Sequence, residues 1–286
     1  MTEPCIHVPL DGSRQALSAL PVARVISEIG HHKICILNVS ENGRPEADIR
    51  DRLAQGTRVL DGLHLELRTG VPADEILRAA RELECHLVVM CRHSRPERVG
   101  SLGRTATAVL RDAPCPVVLV PPERGLASWR LQHALVPHDG TPTTSAALPP
   151  AAQIAEQANA ELLVAYVAGP GAAPEEPGSF TTPRYMDQPQ HEWPSWQSEF
   201  VNRLAGLCPL GHLHMRVLLA HGDPAAEILR LSERQAMDLI VLAWKGNWEA
   251  PRAAILKKVL PKANCPVMVV RTTGAQPKEC PEPPLP

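Results

Sequence analysis

Aromatic residues are scarce, nine in 286, so any tryptophan is read first as packing. No run of about 18 apolar residues occurs, and a membrane-spanning helix is not expected. An excess of positive charge is also missing. The 29 basic and 31 acidic residues leave a net charge of −2, which argues against the basic face of a nucleic-acid binder. The first residues, Met1-Thr2-Glu3-Pro4-Cys5, lack the basic-then-apolar pattern of a signal peptide, so the cytoplasm is the expected location. None of the eight cysteines forms a C-x-x-C pair, and their spacing matches no zinc pattern. They are read as small buried core residues in a reducing compartment, and no structural metal is expected. His212 and His214 would share one face of a strand, but no third ligand accompanies them. There is no Walker lysine motif, no nucleophile–base pair and no carboxylate pair of defined geometry, which argues against an enzyme.

What is present is a repeat. Three landmarks occur twice in the same order. The first is an apolar run closing on Asp-Gly: Val8-Pro9-Leu10-Asp11-Gly12-Ser13, then Val136-Pro137-His138-Asp139-Gly140-Thr141. The second is a glycine before a Pro-Ala helix start: Gly70-Val71-Pro72-Ala73, then Gly222-Asp223-Pro224-Ala225. The third is Cys115-Pro116-Val117-Val118, then Cys265-Pro266-Val267-Met268. The offset is 128 residues at the first landmark, 152 at the second and 150 at the third. The second copy therefore carries roughly two dozen extra residues, placed at Gly169 to Trp193 because that stretch is rich in Pro and Gly. It is expected to be a surface loop. The chain divides into residues 1–124, a short linker at Gly125 to Trp129, residues 131–272 and a Pro-rich tail over 273–286.

Strand and helix patterns alternate within each copy. Strands are predicted near Cys5–Pro9, Lys33–Val39, Leu63–Arg68, His86–Cys91 and Pro116–Val120, and again near Leu131–Pro137, Glu161–Val167, His212–Ala220, Asp238–Ala243 and Pro266–Arg271. Continuous apolar runs such as Leu87-Val88-Val89-Met90 fit strands buried on both faces of a parallel sheet. Ser13 is a candidate N-cap for a helix reaching Ile29, with Gly30 as its stop. Pro72 suits a first helical turn, and Asp74 and Glu75 complement its dipole. The fold class is α/β: two doubly wound parallel-sheet domains in tandem.

These motifs resemble the universal stress protein family across both halves, from about Cys5 to Val120 and from about Leu131 to Arg271. The resemblance rests on Val8-Pro9-Leu10-Asp11-Gly12-Ser13, on the Gly-x-Pro-Ala-x-x-Ile step and on Ala113-Pro114-Cys115-Pro116-Val117. It implies a strand order of 3-2-1-4-5 in each domain and pairing between domains, or self-association, through the last strands. It also implies an ATP or other adenine-nucleotide site. A ligand of a doubly wound sheet sits beyond the carboxyl ends of the strands, where the strand order reverses. The candidates there are Pro9, Leu10, Asp11, Val39, Cys91, Arg92, Gly103, Arg104 and Thr105 in the first copy, and Asp139 and Gly246 in the second.

In ATP-binding members of the family, the aspartate after the first strand contacts the nucleoside. A Gly-x-x-Gly, nine residues, then Gly-Ser/Thr loop cradles the phosphates. This sequence departs from that loop twice. Cys91 and Ser94 stand at the leading glycines of the first copy, and Gly103 is followed by Arg104. Ala243 and Gly246 lead in the second copy, where the loop is shorter and ends in Ala253-Ala254. Against this, the first loop holds Arg92, Arg95, Arg98 and Arg104, and arginine forks suit an anion. Asp11 and Asp139 also have a plain reading as turn residues capping the next helix, favoured at Asp139. Trp244 and Trp248 could stack on a base or pack over an emptied crevice, and packing is the favoured reading.

The expected function is a stress-response protein acting by binding, with an adenine-nucleotide or anion site in the first copy and a degenerate second copy. Nucleic acid and membrane are not expected partners. Two alternatives stand beside it: an interaction scaffold without a small-molecule ligand, and a slow ATPase or other nucleotide-dependent enzyme.

Overall fold

The computed structural model describes residues 5–40, 49, 63–93, 102–122, 128–168, 176–180, 189–207, 213–248 and 253–272. Ten strands form one sheet. In chain order they are β1 (Cys5–Pro9), β2 (Lys33–Ser40), β3 (His64–Thr69), β4 (Leu87–Cys91), β5 (Val117–Val120), β6 (His133–His138), β7 (Glu161–Ala168), β8 (His214–His221), β9 (Leu239–Trp244) and β10 (Val267–Arg271). Their order across the sheet is β3-β2-β1-β4-β5-β10-β9-β6-β7-β8. Each half therefore has the order 3-2-1-4-5, as expected. Each half is parallel, and the halves join where β5 meets β10 antiparallel, Val118 opposite Met268.

The central strands coincide with the apolar runs because they are buried on both faces, whereas the edge strands β3 and β8 are mostly half-buried or exposed. Eight described α-helices cover the sheet: α1 (Ala19–Gly30), α2 (Pro72–Glu82), α3 (Arg104–Asp112), α4 (Pro142–Ser145), α5 (Leu148–Gln157), α6 (Pro189–Leu207), α7 (Pro224–Arg234) and α8 (Ala253–Val259). Alternation along each strand feeds two cores. Ile6 and Val8 pack with α1 and continue through Val118, Val120 and Met268 to α5 and α6. On the other face Val88, Leu119, Val267 and Val269 pack between α2, α3, α7 and α8. Both cores run through the β5–β10 junction, so the halves share their apolar interior.

Local details differ from the sequence reading in three places. Ser13 is not the N-cap of α1: its Oγ accepts from the Ala16 N–H at 3.1 Å in the turn leading to a short 3₁₀ segment, Ala16–Ser18, and Ser18 stands at the N-cap of α1. Gly30 is the last helical residue, and the left-handed residue that ends α1 is His31 at φ 52°. The stretch read as a loop up to Trp193 gives way to α6 at Pro189. Pro72 does open α2, with Asp74 and Glu75 in its first turn. Trp129, placed in the linker, is buried, and its Nε1–H donates to the Asp238 carbonyl at 3.2 Å. Residues 125–127 of the linker, most of the extra segment and the tail from 273 lie outside the described residues. Among the described residues no helix is long and apolar enough to cross a membrane.

Candidate functional site

In both halves the strand order reverses between the first and fourth strands, β1 and β4 or β6 and β9. The two crevices start from the same turn. Gly12 and Gly140 both have φ 81°, a left-handed value that a Cβ would disfavour. The serine or threonine two residues after each aspartate donates its backbone N–H to that aspartate, Ser13 to Asp11 Oδ1 at 2.8 Å and Thr141 to Asp139 Oδ1 at 3.1 Å. Beyond that shared bond the two sites diverge.

In the first copy the Asp11 side chain is exposed at the mouth of the crevice. Leu10 is buried beneath it, and Pro9 and Val39 are half-buried. Asn38 fixes this turn: its Nδ2 donates to the Leu10 carbonyl at 2.6 Å, and the Leu10 N–H donates to the Leu37 carbonyl at 2.9 Å. Asn38 was not singled out from the sequence, although an amide inside Ile34-Cys35-Ile36-Leu37-Asn38-Val39 is the signal that marks it. Across the crevice Cys91 is buried, and its thiol donates to the His93 carbonyl at 2.9 Å. Burial is the main force raising that thiol's pKa. Gly103 donates its N–H to the Arg92 carbonyl at 2.8 Å, and a Cβ there would come within 3.1 Å of the same oxygen. Only glycine allows that approach without displacement. Gly103 is the N-cap of α3, so Arg104, exposed, and Thr105, half-buried, occupy its first turn.

Arg92 does not face this crevice as an anion ligand, and this corrects the sequence reading. Its Nη1 donates to the carbonyls of Leu260 at 3.0 Å and Ala263 at 2.8 Å, just past the end of α8 in the other half. A cation there meets the negative end of a helix. Burial is the first cause lowering its pKa. Arg92 is therefore a clamp between the copies. Arg95 and Arg98 lie outside the described residues.

The second crevice is filled. Asp139 Oδ1 accepts from the hydroxyls of Thr141 at 2.6 Å and Thr144 at 2.8 Å besides the Thr141 N–H. The carboxylate is thus used inside the turn, while Thr141 is the N-cap of α4 with its side chain accepting from the Thr144 N–H. Where the first copy has Leu10, the second has His138, buried, with Nδ1 accepting from the Gly140 N–H at 2.8 Å and Nε2 at 3.0 Å from Ser145 Oγ. That geometry assigns the proton to Nε2. Burial pushes the His138 pKa down to about 4. Where the first copy has Asn38, the second has Tyr166, whose hydroxyl donates to the Phe180 carbonyl at 3.2 Å.

Residues 176–180 of the extra segment lie across the mouth. The Phe180 N–H donates to the Gly140 carbonyl at 2.7 Å, and a Cβ on Gly140 would fall on the Phe180 carbonyl oxygen. Glu176 takes the Thr143 hydroxyl at 2.6 Å and pairs with Lys245 at 3.2 Å, bridging from α4 to the residue after β9. Below this strap, Tyr166, Phe180, Trp196 and Phe200 stack or meet edge-on with centroids 4.9 to 5.7 Å apart. The far side is closed by Trp244, buried, with Trp248 edge-on at 5.5 Å. Gly246, at φ 80°, packs on the Arg271 side chain. The segment read as a simple surface excursion is pinned over the site in its described part. By contrast, no aromatic residue precedes Trp129 in the chain.

The molecule is a tandem doubly wound α/β protein with one crevice per half, one open at its aspartate and one occupied by its own side chains. The universal stress protein family model matches residues 44–121 and 130–271, well over half of the chain, and the chain belongs to that family. Among solved structures it is similar to a universal stress protein from Archaeoglobus fulgidus DSM 4304, at 17% identity and TM-score 0.67, covering 95% of this chain and 99% of that one. A putative universal stress protein from Pseudomonas aeruginosa UCBPP-PA14 matches at 18% identity and TM-score 0.67, covering 94% and 93%. A protein of unknown function from Pseudomonas aeruginosa PAO1 matches at 17% identity and TM-score 0.67, covering 94% and 92%. At these identities the likeness is one of fold.

Proposed function

We propose that this universal stress protein acts in the cytoplasm by binding one adenine nucleotide, in the first copy alone, without turning it over. The observation that carries the reading is the contrast between the two aspartates. Asp11 is exposed at its crevice, whereas Asp139 Oδ1 is taken by the Thr141 and Thr144 side chains. In this reading the Asp11 carboxylate accepts from the nucleoside and Leu10, Pro9 and Val39 floor the pocket. The phosphates meet the start of α3, where free backbone N–H groups and the dipole favour an anion. Arg104 and the Thr105 hydroxyl stand there; Arg92 is committed elsewhere. No described group is placed to orient an attacking water, so binding without hydrolysis is the outcome expected.

Calorimetric titration with ATP tests this. One equivalent per chain is expected. Losing the Asp11 contact, a hydrogen bond to a charged group, weakens binding about tenfold or more in Asp11→Ala. Asp139→Ala, checked for a retained fold, leaves affinity within about twofold. Two equivalents per chain, or a loss confined to Asp139→Ala, would overturn the assignment. Phosphate release above buffer that Asp11→Ala removes would move the protein to the enzymes.

A further inference from the structure

The amino ends of the first copy's strands, at the opposite edge of the sheet from the crevice, hold an unusual set of side chains. His7 lies in the middle of β1 and is fully buried. Neither of its ring nitrogens has a hydrogen-bond partner. Buried imidazoles are ordinarily satisfied, because an unpaired buried polar group is costly. Cys5, two residues earlier on the same strand face, and Cys85, in the turn between α2 and β4, bring their sulfurs to this ring. The two sulfurs and a ring nitrogen all lie within 4.8 Å of one another. Cys35 is the register neighbour of His7 on β2, with its Sγ 3.7 Å from Glu66 Oε2. Cys115, half-buried at the start of the turn into β5, interacts electrostatically with Cys85.

The second copy shows that the fold does not need three of these residues, although it has His133 in place of Cys5 and keeps a cysteine, Cys265, in place of Cys115. The same backbone positions carry Leu135 for His7, Leu163 for Cys35 and Met237 for Cys85. The backbone bonds correspond, Cys85 N–H to the Ala80 carbonyl and Met237 N–H to the Ser232 carbonyl. All three replacements are buried apolar side chains. An aliphatic core therefore fills this place in one half, while the other half gathers thiols around an imidazole with no partner. Two sulfurs and one nitrogen are the donor set of thiophilic d¹⁰ ions, which take tetrahedral or trigonal sites with metal–sulfur bonds of about 2.3 Å.

We propose that Cys5, His7 and Cys85 form a binding site for a thiophilic d¹⁰ cation, Zn²⁺ or Cu⁺, with Cys35 and Cys115 at hand for a fourth ligand. Each thiol releases its proton to solvent on binding. The site uses none of the nucleotide residues, so it stands or falls separately from the function proposed above.

The test uses the full chain, reduced and stripped of metal by a chelator. Native mass spectrometry after addition of Zn²⁺, and anaerobically of Cu⁺, should show one equivalent retained for at least one ion. Co²⁺ as a probe should give the visible bands of a tetrahedral thiolate site, bleached by Zn²⁺ if zinc is the ion. The double variant His7→Leu and Cys85→Met installs the second copy's own residues, so it keeps an apolar core. It should fold and bind none. Cys265→Ala should bind as the parent does. The retained ion should raise the melting temperature of the parent but not of the double variant. Failure to retain either ion, or equal retention in the double variant, overturns the proposal.

Discussion

The two halves agree in backbone to the level of single left-handed residues. His31 and Asn159 both end a helix at φ 52°, and Glu84 and Ala236 sit at φ 46° and 48° before β4 and β9. Yet the crevices at the same place are opposite in character. One presents an exposed carboxylate; the other is packed with His138, Tyr166, Phe180, Trp196 and Phe200 under a strap from Glu176 to Phe180. The fold survives because strand pairing and the shared cores use positions far from the strand ends. The site does not survive because a crevice is lined by few residues, and two of them differ beneath the strap that covers it. Leu10 has become His138, and Asn38 has become Tyr166.

The largest expected effect is acid sensitivity in the second copy. His138 has a folded pKa near 4, below the ordinary value of 6.5. As pH falls from about 6.5, the unfolded chain takes up the proton first. Stability is therefore full above about pH 6.5 and falls between there and about pH 4, by up to about 3 kcal/mol. Urea denaturation across that window should show the slope, and His138→Leu, the first copy's residue, should flatten it. His7 is also held neutral by burial and contributes alike in both proteins. Equal slopes for parent and variant would show that His138 is not what makes the second copy different.

Next comes the clamp between the halves. Arg92→Met leaves the Leu260 and Ala263 carbonyls without their donor and should cost about 2 kcal/mol in urea denaturation, the scale of hydrogen bonds to a charged group. ATP affinity should be unchanged. A large loss of affinity at constant stability would return Arg92 to the nucleotide site.

The smallest effect concerns helix starts. Asp223 caps α7 by accepting from the Ala226 N–H at 3.0 Å, while Val71 at the same place before α2 offers no side-chain cap. Asp223→Ala should lower the urea midpoint slightly, and Val71→Asp should raise it slightly. Val71 is 59% exposed, so little packing is given up. No gain at Val71 would mean that the helix starts are less alike than their shared Pro at N1 suggests.

Much of the fold was legible in the residues. Runs such as Leu87 to Met90 are too apolar for any place but a doubly covered strand, and the observed β4 begins at Leu87. Element ends were less legible. His31 rather than Gly30 takes the left-handed position because histidine tolerates it and the helix simply runs one residue further. Of the candidate site, the Asp-Gly turns were visible because their chemistry is local. The fate of Arg92 was not, since the carbonyls it binds are 168 and 171 residues away. Nor was the grouping of Cys5, His7 and Cys85, which no spacing rule relates.

By itself, then, the sequence determined two copies of a parallel α/β unit and the turn that begins each crevice. These follow from hydrophobic pattern and turn chemistry, which act between near neighbours. Only the tertiary structure decided that β5 and β10 pair antiparallel with Val118 opposite Met268, that Arg92 reaches across the junction, that Phe180 closes one crevice and that two thiols meet an unpartnered imidazole. Those outcomes depend on which distant side chains the sheet brings to one place, and on what burial there leaves them to bond.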